Sequence, residues 1–62
     1  MFSYYRNGQK VFVDAVDDEW GIVEAVGQIV YTNDNGAMVH VESLGKFGDD
    51  IFCRYDEIAP VD

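Results

Sequence analysis

Apolar and polar side chains alternate with a period of two over most of this 62-residue chain. In residues 10–15, Val11, Val13 and Ala15 fall on one face of an extended strand, and the residues between them fall on the other. A period of two is typical of β-strands that bury one face, whereas an amphipathic helix repeats every 3.6 residues. The sequence therefore predicts an all-β fold.

Five short strands are predicted from this alternation and from the many β-branched and aromatic residues. They comprise residues 10–15, 28–32, 37–42, 51–54 and 59–61. The last of them contains Pro60, which has no backbone N–H to donate and is tolerated at the edge of a sheet. We therefore expect the fifth strand at an edge.

The segments between these strands carry turn residues. Residues 33–36, Asn-Asp-Asn-Gly, predict a hairpin turn because Asn and Gly adopt positive φ at low cost. Residues 16–26 contain Gly21 and are followed by Gly27, so we predict a long first loop that folds over rather than a helix. Residues 55–58 predict a single 3₁₀ turn before the last strand.

One small domain is expected over residues 1–62, with residues 1–7 as an N-terminal extension. A flat sheet of five short strands would leave both faces wet, so we predict that it curls into a small barrel. A single cysteine cannot form an internal disulfide, and no apolar segment has the length of a signal sequence or membrane span. These features favour a cytoplasmic protein.

The predicted strands divide their apolar residues between two faces. The presumed core face carries Val11, Val13, Ile29, Val39, Val41, Ile51 and Cys53. The opposite face carries Phe12, Val30, Met38 and Phe52. We interpret the second set as core as well, because bent barrel strands bury parts of both faces. The alternative is an exposed patch that forms a weak homodimer through Phe12, Met38 and Phe52. The N-terminal aromatic residues would then cover this patch: Phe2, Tyr4 and Tyr5.

Four runs resemble the small SH3-like barrel proteins: GQKVFV at residues 8–13, VGQIV at 26–30, MVHVE at 38–42 and DEI at 56–58. This group includes electron-transport accessory barrels, KOW-type domains and short phage or prophage proteins. The resemblance implies a five-stranded SH3-like barrel. It carries over no functional residue, because those relatives make contacts through basic side chains and this chain has only four.

Catalytic and metal-binding patterns are poorly supported. His40 lies on an outer strand face and no nucleophile–His spacing is present, so we predict that the protein is not an enzyme. Cys53 shares the core face with Ile51, which predicts a buried, unreactive thiol. The acidic runs do not match the EF-hand spacing, and one Cys and one His disfavour zinc. We expect neither a metal nor a cofactor.

The acidic residues are the most informative feature for function. Twelve acidic and four basic residues give a net charge of -8, which argues against direct nucleic-acid binding through a basic face. In an SH3-like barrel the long first loop, the 33–36 turn and the 3₁₀ turn would bring acidic residues and two aromatic residues together. These residues are Asp17, Asp18, Glu19, Trp20, Asp34, Tyr55, Asp56 and Glu57.

Such an acidic end either solubilises the protein or docks on a basic partner protein. Our hypothesis is the second: a non-enzymatic protein-binding module, for example a phage or mobile-element protein that occupies a host protein's nucleic-acid site. The alternative is an accessory or structural subunit of a larger, electron-transport-like enzyme complex. That subunit would bury its apolar outer face permanently.

Overall fold

Five antiparallel strands follow one another in the computed structural model, which describes residues 5–61. They are β1 (Lys10–Asp17), β2 (Gly21–Thr32), β3 (Gly36–Val41), β4 (Asp49–Arg54) and β5 (Ile58–Pro60). A 3₁₀ turn (Tyr55–Glu57) connects β4 to β5. The strands form one sheet in the order β4-β3-β2-β1-β5. The all-β prediction and the single 3₁₀ turn are confirmed.

The core occupies one face of this sheet. Its members are Val11, Val13, Ala15, Val23, Ile29, Ala37, Val39, Val41, Ile51, Cys53 and Ile58. All seven residues predicted for the core face are among them. The sheet curves over this core, because β1 contacts β4 although two strands lie between them in the sheet order. Within residues 5–61, no helix has the length and apolar character that a membrane span needs.

The sheet has two edges. Among the described residues, β4 pairs only with β3, and β5 pairs only with β1. β5 lies at the edge predicted from Pro60, displaced by one residue from the expected 59–61. The predicted turn at residues 33–36 also connects two strands, where the Asn33 side chain accepts hydrogen bonds from the N–H groups of Asn35 and Gly36. None of residues 33–36 adopts the positive φ on which the prediction rested, and this Asx turn reverses the chain instead.

The prediction of a long first loop over residues 16–26 is wrong. β1 extends to Asp17 and β2 begins at Gly21, so only three residues connect the two strands. Gly21 has a φ of 75°, which suits the end of a tight turn. Residues 22–26 continue the two-residue alternation, with Val23 buried between exposed neighbours.

Gly27 lies inside β2 rather than in a loop. Its register partner in β1 is Val11, and β3 is the neighbouring strand on the other side. A Cβ at this position would overlap the Val39 side chain and lie 2.9 Å from the backbone carbonyl oxygen of His40. Gly27 therefore permits close packing of two segments, which is the other common role of glycine in a strand.

The interpretation of the outer-face apolar residues as core is also wrong. Phe12 is 50% exposed, Val30 46% and Phe52 41%, and Met38 is partly buried. A sheet of this size covers only its concave face, so the convex face keeps these side chains in contact with water. The alternative of an exposed apolar face is the one that the structure shows.

Candidate protein-docking surface

The first hairpin extends beyond the rest of the sheet as a two-stranded arm, which we call the hairpin arm (residues 14–24). β5 pairs with β1 only at residues 11–13, and β3 pairs with β2 only at residues 28–32. The arm's two strands pair with each other from Asp14↔Glu24 to Asp17↔Gly21. No other strand of the described chain therefore pairs with the arm.

The turn of the arm contains the acidic residues 17–19, which we predicted to be part of the docking site. A side-chain oxygen of Asp17 accepts hydrogen bonds from the backbone N–H groups of Glu19 (2.9 Å) and Trp20 (3.0 Å). The carboxylate thereby satisfies two N–H groups that the hairpin ladder leaves unpaired. Asp18 and Glu19 are exposed at the tip.

Trp20 connects this turn to the segment that follows β3. Its indole Nε1–H donates a hydrogen bond to the Asp49 carboxylate at 2.7 Å, at the start of β4. The ring lies against Gly45, where a Cβ would be 3.1 Å from the indole. The acidic turn and Asp49 therefore lie at one end of the molecule, with a partly exposed tryptophan between them.

The remaining predicted residues form a second group around the 3₁₀ turn. The Tyr55 hydroxyl donates a hydrogen bond to the backbone carbonyl of Asn33 at 2.7 Å, which brings the 3₁₀ turn against the turn that contains Asp34. Asp56 forms an ion pair with Arg54 at 2.7 Å, and Glu57 accepts a hydrogen bond from the Arg54 backbone N–H.

The two groups are held by separate sets of contacts. They are connected along the chain by β2, a strand of 12 residues. It begins beside the acidic turn and ends beside Asn33. The structure thus places Asp17, Asp18, Glu19 and Trp20 in one group and Asp34, Tyr55, Asp56 and Glu57 in another. No hydrogen bond or ion pair among the described residues joins the two groups, although Asp17 and Glu57 both lie close enough to Cys53 to raise the pKa of its thiol.

Of the three N-terminal aromatic residues, the structure describes Tyr5. The Tyr5 ring stacks on the Tyr55 ring, with centroids 5.6 Å apart and planes 5° apart, beside the 3₁₀ turn. It lies with the second acidic group and not on the outer face of the sheet. Phe2 and Tyr4, which we expected to cover that face, lie outside the described residues.

Cys53 is completely buried, as predicted. Burial raises the pKa of its thiol to about 11, and the negative charges of Glu57 and Asp17 add to the effect. The thiol is therefore protonated at neutral pH, the state in which cysteine is a poor nucleophile and a poor metal ligand. Within residues 5–61, no group of three or more His, Cys, Asp or Glu side chains is placed to hold a metal ion.

The outer face of the hairpin arm and the adjoining part of the sheet carries three successive cross-strand rows. From the sheet towards the tip they are Phe12↔Val26, Asp14↔Glu24 and Val16↔Ile22. The apolar side chains are strongly exposed: about half of Phe12 and Val26, 76% of Val16 and 73% of Ile22. An acidic row therefore lies between two apolar rows.

Sequence reasoning missed this arrangement because residues 16–26 were assigned to a loop. Pairing outward from a turn at residues 18–20 would have revealed it, since Asp17 and Gly21 then align and Asp14 faces Glu24. Neither carboxylate forms a hydrogen bond or ion pair within the described chain. Like charges directly opposite each other destabilise an antiparallel pair, so this row opposes the local stability of the hairpin.

The charge balance of the whole chain reinforces that of the arm. No lysine or arginine lies between Lys10 and Lys46, a stretch that includes β2 and β3 entirely. Arg54 is already paired with Asp56. The arm therefore has no basic residue of its own, and its carboxylates project without a counter-charge from the hairpin.

A polar row and a groove divide the rest of the outer face. Register places Lys10, Gln28, His40 and Asp50 side by side across four strands. An open groove of about 300 Å³ lies along this row, bounded also by Val26 and Glu42. His40 Nδ1 and Asp50 are 2.6 Å apart.

The same register separates the residues predicted for self-association. Met38 pairs with Phe52 on β3 and β4, whereas Phe12 lies on β1, beyond the polar row. The three side chains thus belong to two apolar rows rather than to one continuous patch.

Comparison with known proteins assigns no role to this surface. No protein-family model matches the chain, and neither a curated protein nor a solved structure matches it.

Proposed function

We propose that this chain is a non-enzymatic protein-binding module that docks on a basic partner surface through the hairpin arm. The observation that carries the proposal is the arm's uncompensated charge: acidic residues on its outer face and in its turn, with no lysine or arginine between Lys10 and Lys46. Complementary charge on a partner accelerates association and selects the partner, while apolar and aromatic side chains provide binding energy.

The fold supports a more specific assignment, to the SH3-like barrels. The order β4-β3-β2-β1-β5, with a 3₁₀ turn before the last strand, suits that class, and the contact of β1 with β4 provides the required curvature. One form of the proposed function is a phage or mobile-element protein that occupies a host protein's nucleic-acid site, since an acidic surface competes with phosphates for basic side chains.

Affinity capture from a lysate of the native host tests the proposal with two charge-matched variants. The first, Asp17→Asn/Asp18→Lys/Glu19→Lys, changes the turn of the arm but keeps an acceptor oxygen at position 17 for the two turn N–H groups. The second, Asp34→Lys/Asp56→Lys/Glu57→Gln, makes the same net change of +5 at the other acidic group. There the glutamine keeps an acceptor for the Arg54 N–H.

We expect a protein with a basic surface to be captured by the wild type and by the second variant, and lost by the first. Retention by both variants would refute docking through the arm. Loss from both would show that net charge alone governs capture, which would also refute it. Purified partner should then change the emission of Trp20, the single tryptophan of the chain.

The exposed apolar rows favour a second candidate, an accessory subunit of a larger complex. Val16 and Ile22 are about three-quarters exposed, Phe47 is 85% exposed and Phe52 is 41% exposed. A permanent interface would bury these side chains. Purification from the native host in 1 M salt distinguishes the two functions: electrostatic docking is lost because the Debye length falls to about 3 Å, whereas a stoichiometric apolar complex remains intact.

A further inference from the structure

We infer that the outer face of the hairpin arm is a docking site for an extended peptide segment with an apolar–x–basic–x–apolar pattern. This inference rests on the proposed function and names its partner class. The site consists of the acidic row Asp14↔Glu24 between the apolar rows Phe12↔Val26 and Val16↔Ile22.

The spacing of the rows determines the spacing of the partner's side chains. Alternate residues of a strand project from one face about 6.7 Å apart, so the two apolar rows are about 13 Å apart with the carboxylates midway. A second extended strand has the same repeat. Its residues i and i+4 would meet the apolar rows, and a Lys or Arg at i+2 would meet the carboxylates. Sheet faces pack in this aligned manner about 10 Å apart.

Charge complementarity selects a basic segment rather than a second copy of this chain. Asp14 and Glu24 have no hydrogen bond or ion pair within the described residues. A second copy would bring its own carboxylates to this face and bury them without a cation, which is costly. Each copy also carries a net charge of -8. An arginine can instead bridge the two carboxylates through its planar set of donors.

A peptide titration monitored by NMR tests the inference directly. The probe is acetyl-Thr-Ile-Thr-Arg-Thr-Ile-Thr-amide, and the matched control peptide has Glu in place of Arg. With the wild-type protein, we expect the Arg peptide to shift backbone amides at residues 12–16 and 22–26. We also expect it to bind at least about tenfold more tightly than the Glu peptide, a difference of about 1.4 kcal/mol.

The charge-swapped variant Asp14→Lys/Glu24→Lys makes the test specific. Each substitution adds two charges, so the variant has a net charge of -8 + 4 = -4. If only the net charge of the protein governed binding, this variant would still bind the Arg peptide more tightly. If the peptide contacts positions 14 and 24, the variant should instead bind the Glu peptide more tightly. Both positions are exposed, and a dispersed amide spectrum verifies that the variant is folded.

Three results would overturn the inference. One is a wild-type protein whose arm amides do not shift with the Arg peptide. Another is a swapped variant that keeps the Arg preference. The third is a set of shifts confined to residues 17–20 or to residues 33–36 and 54–57. That third result places a basic ligand elsewhere on the acidic surface and leaves capture of a basic partner, decided by the turn variants, as a separate question.

Discussion

Replacing Glu24 by lysine should stabilise the protein, because it converts a repulsive cross-strand pair into an attractive one. Asp14 and Glu24 face each other at a non-hydrogen-bonded position. The Ile29 N–H donates to Gln9, which places the odd-numbered residues of β2 on the hydrogen-bonding side towards β1. Facing side chains are closest at non-hydrogen-bonded positions, with Cα atoms about 4.5 Å apart. Glutamate and lysine are both poor strand formers, so the substitution changes β-propensity little.

The expected gain follows from the strength of such pairs. A favourable cross-strand charge pair contributes about 0.2–1 kcal/mol, and a like-charge pair opposes folding by a similar amount. Converting the like-charge pair into an attractive pair should therefore raise the free energy of unfolding by about 1 kcal/mol. For a domain of this size, 1 kcal/mol in the free energy of unfolding corresponds to a rise of about 4–8 °C in Tm. Salt should reduce the gain, since both side chains are in contact with water.

Urea unfolding followed by Trp20 emission measures the free energy, with Glu19→Lys as the control. That control makes the same change in net charge, but residue 19 lies in the turn and has no register partner across the hairpin. Glu24→Lys should exceed it by about 1 kcal/mol at 20 mM salt and by much less at 1 M. Equal stabilisation by both variants, or a gain that salt does not diminish, would refute the reasoning. The stabilised variant should also lose the Arg peptide if the acidic row serves binding.

Three further changes test the fold. Gly27→Ala should destabilise the protein by about 1–3 kcal/mol in urea unfolding, because the new methyl overlaps Val39; a neutral effect would refute the close-packing role. The Cys53 thiol ionises only near pH 11 when folded but near 9.0 when unfolded, so stability should fall as pH rises from 9 to 11, by up to about 2–3 kcal/mol. Cys53→Ala should remove that fall, and an unchanged slope would contradict it. Asp49→Ala removes the indole's acceptor, so the emission of Trp20 should shift to the red as the ring becomes wetter. An unchanged spectrum would show that the bond does not position the ring.

Side-chain alternation predicted β1, β3, β4, the second half of β2 and the core residues on these strands, because the alternation shows which face of each strand is buried. Val39 and Cys53 were assigned to the core on this basis and are fully buried. The turn at residues 33–36 was predicted in the right place for the wrong reason, since none of its residues has a positive φ and the Asn33 side chain forms the turn instead.

The first hairpin could not be predicted in the same way because glycine has two opposite uses. Gly21 adopts a positive φ at a turn, whereas Gly27 has no positive φ and permits close contact with Val39 on the neighbouring strand. Only the tertiary neighbours distinguish these uses. Taking both glycines as loop residues concealed the cross-strand rows, and with them the pairing of Asp14 with Glu24.

The grouping of the acidic residues depended on long-range geometry that composition does not specify. Asp34 and Asp56 are brought together by the bond from Tyr55 to Asn33, and Trp20 turns instead towards Asp49. Which turn lies beside which depends on the length of β2, and the loop assignment had made that strand seven residues too short at its start.

β1 pairs with two strands that lie at very different distances along the chain. β2 follows it after three residues, whereas β5 begins at Ile58. A hairpin forms quickly from local contacts, but distant pairing must first overcome the entropy of closing a long loop. Until β5 is in place, the edge of β1 at residues 11–13 therefore has unpaired backbone N–H and C=O groups. The three residues of β5 cover that edge, and a chain in which they are not docked can pair with a neighbouring molecule instead of with itself.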